Sequence, residues 1–318
     1  MDTYEQGNIC QVVAMRDEQI LYEKCCNGFA PDDAQNVMSV TKSVLALLVG
    51  IAVDRGEIAS VEQPILTYFP QYTVKRGEKT IYDVTLRHLL TMTAPYKYRS
   101  EPWKKVCTSD DWTLAALDLL GGRSGLDGTF CYATLGIQIL AGALQNASGE
   151  SLLDYANRHL FAPLQITPHR VASVDSAASQ RDFLFSKAPR EAVWMADPKG
   201  ACTAGWGLCL SARDMAKIGS MCLARGVYAG RRVVSAAWID AMTTPRVQCD
   251  VRFGNMAYGY LWWIVDAKRR CFAAIGDGGN VLYVDPVKNC AVAVTATFKP
   301  RVFDRVEYIQ NCILPLLP

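Results

Sequence analysis

The chain has 318 residues, of which 50% are hydrophobic and 20% are charged, and its formal net charge is +2. This is the composition of a globular protein with a large core, and the absence of a Lys/Arg run gives no support for binding nucleic acid or an anionic membrane. The longest apolar run, residues 44–53, is too short to span a bilayer, and the polar N-terminus has no apolar signal core. We therefore expect a cytoplasmic protein with neither a membrane nor a nucleic-acid partner.

The N-terminal part of the chain predicts a hairpin followed by one long helix. Residues 8–25 predict the hairpin, which turns at residues 16–18. A loop follows to residue 36. The helix is predicted from Ser39 to about Arg55, and Gly56 ends it. Its apolar run indicates that this helix is buried.

The middle of the chain, residues 60–170, predicts a compact set of helices. These helices, with the residues that begin or end them, are Leu86 to Thr93 after Thr85, Trp112 to Leu120 after Asp110, Thr134 to Ala147 before Gly149, and Ser151 to His159 before Pro163. Residues 171–200 predict a loop, either as a wall of a pocket or as a boundary between subdomains.

The last third of the chain changes from helical to period-two patterning. Ser211 and Asp214 form a capping box for a helix to about Ala224, and residues 235–242 predict another short helix. A closing helix is predicted over residues 302–314. Between them, four successive antiparallel strands are predicted at Tyr258 to Val265, Arg270 to Ile275, Val281 to Val284 and Ala291 to Thr297.

Strands at both ends of the chain with helices between them predict an α+β fold in one domain covering residues 1–318. We expect a central antiparallel sheet, built from N- and C-terminal strands and flanked by helices. Residues 1–58 and 200–318 would form this α/β sheet subdomain. Residues 59–199 would form a mostly helical inserted subdomain.

The cysteines and histidines indicate neither a metal site nor a cofactor. The 12 cysteines contain no Cys-x-x-Cys pair and lie scattered through apolar segments, so we expect most of them to be reduced and buried. The three histidines, His88, His159 and His169, share no spacing typical of metal ligands. We expect a protein that works without a cofactor.

Ser39 stands three residues before Lys42 at the start of the predicted buried helix. Positions i and i+3 share one helix face, so the Lys42 amine can reach the Ser39 hydroxyl. Desolvation disfavours a charged lysine, and a neutral amine can remove the serine proton to make a nucleophile. The pattern alone is weak, because a chain of this length shows Ser-x-x-Lys about once by chance. Whether the motif is catalytic depends on whether other parts of the chain supply partner residues for Ser39.

Tyr132 and Thr134 follow a glycine-rich stretch and lie where a predicted helix begins. Two residues apart on a loop, they can both face a cavity. Tyr132 would serve as a base or proton shuttle if Lys42 lowers the pKa of its phenol. The plainer interpretation makes Tyr132 a half-buried aromatic residue and Thr134 a helix cap.

The segment from Gly276 to Asn280 joins two predicted strands and contains Asp277, Gly278 and Gly279. Glycine at a strand edge lets another backbone, such as that of a substrate, approach closely. The N–H of Asn280 would then form an oxyanion hole with the N–H of the nucleophilic serine. The plainer interpretation is a simple hairpin turn.

Together and in this order, the three motifs resemble those of the serine β-lactamase and penicillin-binding-protein superfamily, of which Ser-x-x-Lys is a signature. The closest resemblance is to the class C β-lactamase-like branch of esterases, D-aminopeptidases and amide hydrolases, and it covers nearly the whole chain. Further segments resemble blocks of that family: residues 54–58, 85–90, 161–164, 204–208, 211–216 and 258–263.

The resemblance implies a role for each matching position. Ser39 matches the nucleophile, Lys42 its lysine partner, and Tyr132 the tyrosine of a Tyr-x-Asn motif. The Asp277-Gly278-Gly279 stretch matches the Lys-Thr-Gly or His-x-Gly triad, with Asn280 next as the oxyanion donor. The implied fold is the β-lactamase/transpeptidase-like α/β sandwich.

Two departures from the family pattern bear on the substrate. Thr134 stands where many members have Asn, which weakens recognition of a substrate amide. Asp277 stands where a Lys or His usually helps to bind a substrate carboxylate, so it argues against penicillins and D-Ala-D-Ala peptides. An acid could instead attract an amine-bearing substrate. The Gly-x-Gly-Gly form is similar to that of amide-hydrolysing and esterase-like members.

The sequence therefore predicts a serine hydrolase that cleaves a small ester or amide through an acyl-Ser39 intermediate, with Lys42 and Tyr132 completing the catalytic centre. One alternative is a β-lactamase or a D-Ala-D-Ala-type peptidase. Another is a catalytically weak relative that binds a ligand in this pocket, which the altered third motif keeps open.

Overall fold

The computed structural model describes residues 4–123, 125–249, 253–254 and 256–318. The strands are β1 (Ile9–Arg16), β2 (Gln19–Cys25), β3 (Gln35–Asn36), β4 (Arg170–Ser173), β5 (Val193–Ala196), β6 (Cys209–Leu210), β7 (Val227–Tyr228), β8 (Arg231–Arg232), β9 (Val247–Gln248), β10 (Ala257–Tyr258), β11 (Trp263–Asp266), β12 (Cys271–Gly276), β13 (Asn280–Asp285) and β14 (Cys290–Ala296). The α-helices are α1 (Val40–Asp54), α2 (Leu86–Leu90), α3 (Trp103–Cys107), α4 (Trp112–Leu117), α5 (Gln138–Ser148), α6 (Leu152–Ala156), α7 (Ala177–Phe185), α8 (Ala212–Leu223), α9 (Ala236–Met242) and α10 (Arg305–Tyr308).

One antiparallel sheet organises the molecule, with the strand order β2-β1-β14-β13-β12-β11-β10-β9. The N-terminal hairpin joins the C-terminal strands where β1 pairs with β14. The predicted α+β fold, with a central antiparallel sheet from both ends of the chain, is thereby confirmed. The division of the chain at residues 59 and 199 into two subdomains stays a prediction.

Alternate residues of the central strands face two different cores, as the period-two geometry of a strand requires. On one face, Val13 and Met15 pack with α1 and α8. On the other face, Val12 and Ala14 pack with the C-terminal segment that contains Tyr308. Because both faces are covered, β13 and β14 are buried along their whole length.

Helix α1 lies inside the protein, with all residues from Val40 to Ala52 buried. A helix that is apolar all round belongs in a core. It therefore holds its first turn in a fixed position. Its predicted bounds are confirmed, since Ser39 is the N-cap residue and Arg55 the C-cap residue. None of the helices in the described part of the chain combines the length and apolar character that a membrane-spanning segment needs.

Four predicted elements differ from the structure. Residues 171–200 are not a loop, because they contain β4, α7 and β5, and β4 pairs with β5 in parallel. The cap of α4 is Asp111 and not Asp110, since the Asp111 carboxylate accepts from Leu114 N at 2.9 Å. The strand predicted over 258–265 is split into β10 and β11 by a turn in which Leu261 has φ 57°. The closing helix begins at Arg305 rather than at residue 302.

Candidate active site

Ser39 sits at the N-cap of α1, next to a strained residue. Met38 has φ 50°, in the left-handed region, which costs a non-glycine residue on the order of 1–3 kcal/mol. Asn36 offsets this cost, because its Oδ1 accepts from Met38 N at 3.0 Å and from Gly207 N at 3.2 Å. The turn therefore presents Ser39 at the first turn of the helix, where the helix dipole favours developing negative charge.

Lys42 lies directly behind the serine. Its Nζ is 2.8 Å from Ser39 Oγ and 2.7 Å from the carbonyl oxygen of Gly205, and the residue is 1% exposed. Burial lowers the pKa of Lys42 to about 7, although the negative charges of Glu101 and Asp277 act in the opposite direction. A substantial fraction of Lys42 is therefore a neutral amine near neutral pH.

Tyr132 lies beside the same Lys42 amine. Lys42 Nζ lies 5.0 Å from the centre of the Tyr132 ring, which stacks on Trp263 at 5.8 Å between ring centroids. The sequence makes the role of Tyr132 as a base conditional on a fall in the pKa of its phenol beside Lys42. Burial raises the pKa, and the neighbouring Ser39 hydroxyl offsets only part of that rise. Tyr132 is therefore a phenol at neutral pH, able to donate a proton.

The third motif forms the turn between β12 and β13, and this turn ends beside the nucleophile. We call residues 277–279 the Asp277 turn. A methyl group added to Gly276 would lie 3.0 Å from Ser39 N and 2.3 Å from Val37 O, so the end of β12 touches the chain just before α1. Both sequence interpretations of this motif hold together, because the segment is a hairpin turn and also a wall of the site.

Two backbone N–H groups lie at this junction, those of Ser39 and Asp277. Within the described part of the chain, neither Ser39 N nor Asp277 N donates a hydrogen bond to a backbone carbonyl. Asn280 is placed differently, since it pairs with Gly276 across the hairpin and is fully buried. Its side chain holds the turn, donating to Asp277 O at 2.9 Å and accepting from Ala296 N at 2.9 Å.

Asp277 itself is exposed at the mouth of the site. Among the described residues, its carboxylate makes neither an ion pair nor a hydrogen bond. Its charge nevertheless raises the pKa of both Lys42 and Tyr132, so it lies within electrostatic range of the catalytic centre. This corner of the site is therefore negative and open to a ligand.

Thr134 and Glu101 complete the wall behind Lys42. Thr134 is 9% exposed and occupies the N-cap position of the short 3₁₀ helix Leu135–Ile137, where its side chain makes no capping hydrogen bond. Glu101 accepts from Leu135 N at 2.6 Å, and burial raises the pKa of its carboxyl group. Sequence reasoning missed Glu101, because an isolated glutamate before a proline belongs to no motif.

The site thus contains a serine, a lysine, a tyrosine and two backbone N–H groups at one place, drawn from three distant parts of the chain. In the described residues, no cluster of His, Cys, Asp or Glu has the arrangement of a metal site. A buried neutral amine next to a helix-start serine is suited to covalent acyl transfer.

Comparison with known proteins decides the family. The family model described as Beta-lactamase matches residues 10–311. The chain belongs to the β-lactamase family. The resemblance expected from the sequence motifs is therefore confirmed, and membership of this β-lactamase family makes the chain a hydrolase.

The relatives of this β-lactamase-family chain include amide hydrolases. It is 27% identical over 298 residues to the 6-aminohexanoate-dimer hydrolase of Paenarthrobacter ureafaciens, a match that covers 86% of this chain and 69% of that protein. The structure of EstCE1, described as a hydrolase with promiscuous acyltransferase activity, superposes with a TM-score of 0.74 at 16% identity and covers 97% of this chain and 94% of EstCE1. A D-stereospecific amidohydrolase from Streptomyces sp. gives a TM-score of 0.67 at 15% identity, covering 95% of this chain and 93% of that one. These two structures show the shared fold.

Proposed function

We propose that the protein is a serine hydrolase that cleaves a small ester or amide through an acyl-Ser39 intermediate. The observation that carries this proposal is the Lys42 amine, fully buried, 2.8 Å from Ser39 Oγ and with its pKa lowered to about 7. At neutral pH this amine can accept the serine proton. A positioned general base contributes about 100- to 10,000-fold to the rate.

The proposed reaction begins when Ser39 Oγ attacks the carbonyl carbon of the substrate and its proton passes to Lys42. The bond to the leaving group then breaks, and Tyr132 relays a proton from Lys42 to that group. Tyr132 suits this relay because burial keeps it a neutral phenol. Water then attacks the acyl-Ser39 ester and gives its proton to Lys42. The bond between the acyl carbon and Ser39 Oγ breaks, Lys42 returns the proton to Ser39 Oγ, and the free acid leaves.

The oxyanion of the tetrahedral intermediate would be held by the N–H groups of Ser39 and of the turn beside it. The second N–H group would come from Asp277 or from Asn280, which follows the turn. The geometry favours the N–H of Asp277. Gly276 abuts Ser39 N, the Asp277 N–H follows it directly, and Asn280 stands across the hairpin. One such donor contributes about 3 kcal/mol to transition-state stability.

The decisive experiment is labelling with a fluorophosphonate, followed by mass spectrometry of the modified residue. We expect a single phosphonylated residue, Ser39, and no labelling of Ser39→Ala. Ser43→Ala is the matched control, because Ser43 lies in the same helix and its hydroxyl donates to Leu261 O at 2.6 Å, away from the nucleophile. Equal labelling of wild type and Ser39→Ala would refute the assignment.

For the substrate, we propose an uncharged or amine-bearing ester or amide rather than a β-lactam. The exposed Asp277 carboxylate repels the carboxylate that penicillins carry and attracts an ammonium group. A relative named for hydrolysing a 6-aminohexanoate dimer supports a small substrate with an amino group. A panel of p-nitrophenyl esters, D-amino-acid amides and nitrocefin tests this, and fast nitrocefin turnover would contradict it.

A second candidate is a catalytically weak relative that binds its ligand by acylation, favoured by the acid at position 277 in place of a cation. Intact-protein mass spectra over hours after addition of a penicillin separate the two. A stable mass increase without turnover would identify the weak relative. Rapid return to the unmodified mass with an ester substrate identifies the enzyme.

A further inference from the structure

Asn8 and Arg305 connect the two ends of the chain directly behind the Asp277 turn. Asn8 Nδ2 donates to the carbonyl oxygens of Gly278 and Thr297, both at 2.7 Å. Arg305 Nη2 in turn donates to Asn8 Oδ1 at 3.2 Å. Both side chains are buried, with exposed fractions of 7% for Asn8 and 1% for Arg305. The turn beside the nucleophile is therefore held from behind by a buried polar network.

Among the described residues Arg305 forms no direct ion pair, and the carboxylates of Asp304 and Glu5 act on its charge only at longer range. The carboxylate of Glu5 pairs with Lys299, while Arg305 Nη1 donates only to the Glu5 carbonyl oxygen at 2.6 Å. Arg305 Nε is buried and has no partner. Burying a guanidinium without a direct ion pair is costly, so packing alone does not account for it.

The guanidinium also lies against the turn itself. A methyl group added to Gly279 would come within 2.8 Å of Arg305 Nε, so only glycine fits there. The carbonyl oxygens of the first two turn residues both accept from asparagine side chains. Asn280 Nδ2 donates to Asp277 O at 2.9 Å, and Asn8 Nδ2 donates to Gly278 O. With these carbonyls held, the preceding N–H of Asp277 keeps one orientation.

We infer that Asn8 and Arg305 are positioning residues that fix the Asp277 turn so that its N–H faces the oxyanion. This inference rests on the proposed serine hydrolase function. Neither residue touches the substrate, and both act through the turn. A shift of about 1 Å in a group that acts on the reacting centre can cost on the order of 100-fold in rate.

The experiment compares Asn8→Ala and Arg305→Met with wild type, using p-nitrophenyl acetate as the substrate and phenylboronic acid as a tetrahedral mimic of the intermediate. We expect kcat to fall about tenfold to 100-fold with KM unchanged, and the inhibition constant of the boronic acid to rise by the same factor. Ile309→Val is the matched control, since Ile309 is fully buried directly after α10, and its apolar side chain packs in the cluster that contains Tyr308.

A merely structural role predicts a different result. All variants would then lose thermal stability, measured by circular dichroism, while kcat per folded molecule and boronic-acid affinity stayed as in Ile309→Val, and that outcome would overturn the inference. Arg305→Met provides a second variant if Asn8→Ala does not fold. If fluorophosphonate does not label Ser39 in the wild-type protein, the proposed function is overturned as well. If wild type is labelled and the variants are unimpaired, only the positioning role is overturned.

Discussion

The two walls of the site differ in how far water reaches them. The Ser39 wall, which consists of Ser39, Lys42 and Gly205, is closed by hydrogen bonds of 2.7 and 2.8 Å around a buried amine. In the Asp277 turn, Asp277 is exposed to solvent, while the buried Gly278 is held by Asn8. Electrostatic effects are strong in the first environment and screened in the second. Proton transfer should therefore depend on the Ser39 wall, and preference for substrate charge on the exposed Asp277 carboxylate.

The largest expected effect comes from removing the amine of the Ser39 wall. We predict that Lys42→Met lowers kcat/KM for p-nitrophenyl acetate by about 100- to 10,000-fold, the range of a general base. Ser43→Ala, which loosens the same helix, should keep most of the activity. The two variants are compared in steady-state assays at equal folded protein. Activity of Lys42→Met within a few-fold of wild type would exclude Lys42 as the base.

The same contrast explains what could be predicted from the sequence. Ser39 and Lys42 stand on one helix turn, so their contact follows from local geometry, and the capping box of Ser211 and Asp214 is equally local. That one sheet combines N- and C-terminal strands followed from the period-two patterns at the two ends of the chain.

Features that depend on distant contacts were not predictable. Asn8 and Arg305 are 297 positions apart and belong to no motif. Helix α7 lies between the parallel strands β4 and β5 in the chain. The sequence predicts a loop there, because many residues of this helix are small or polar. The raised pKa of Tyr132 depends on burial, which the sequence alone did not reveal.

The next largest expected effect is the dependence of the rate on the protonation state of Lys42 in the Ser39 wall. If neutral Lys42 is the base, kcat/KM for an uncharged ester should rise about tenfold per pH unit below the pKa and level off above a midpoint of about 7. The sign follows because only the deprotonated amine accepts the serine proton. Rate–pH profiles from pH 5 to 9 measure this. A midpoint near 10 would instead assign the base to a group with an ordinary lysine or tyrosine pKa.

A smaller effect is expected at the Asp277 turn, because an exposed charge interacts by only about 0.2–1 kcal/mol. We predict that Asp277→Asn lowers the ratio of kcat/KM between p-nitrophenyl 4-aminobutyrate and p-nitrophenyl pentanoate by about fivefold or less. Asp17→Asn is the matched control, since Asp17 lies in the β1–β2 turn at the opposite end of the sheet. Equal ratios in wild type and both variants would show that Asp277 does not select for charge.

The smallest expected effect is the influence of the Asp277 charge on the pKa of Lys42. The Asp277 charge raises the pKa of Lys42 against the dominant effect of burial, so removing that charge should make the ammonium form less favourable. We predict that Asp277→Asn shifts the midpoint of the rate–pH profile for a neutral ester downward, by a fraction of a pH unit, because water screens this exposed acid. The shift should shrink as salt is added, because screening of the Asp277 charge lowers the midpoint of wild type toward that of Asp277→Asn. An upward shift would mean that Asp277 does not stabilise the ammonium form of Lys42, and the open turn would then be electrostatically independent of the buried wall.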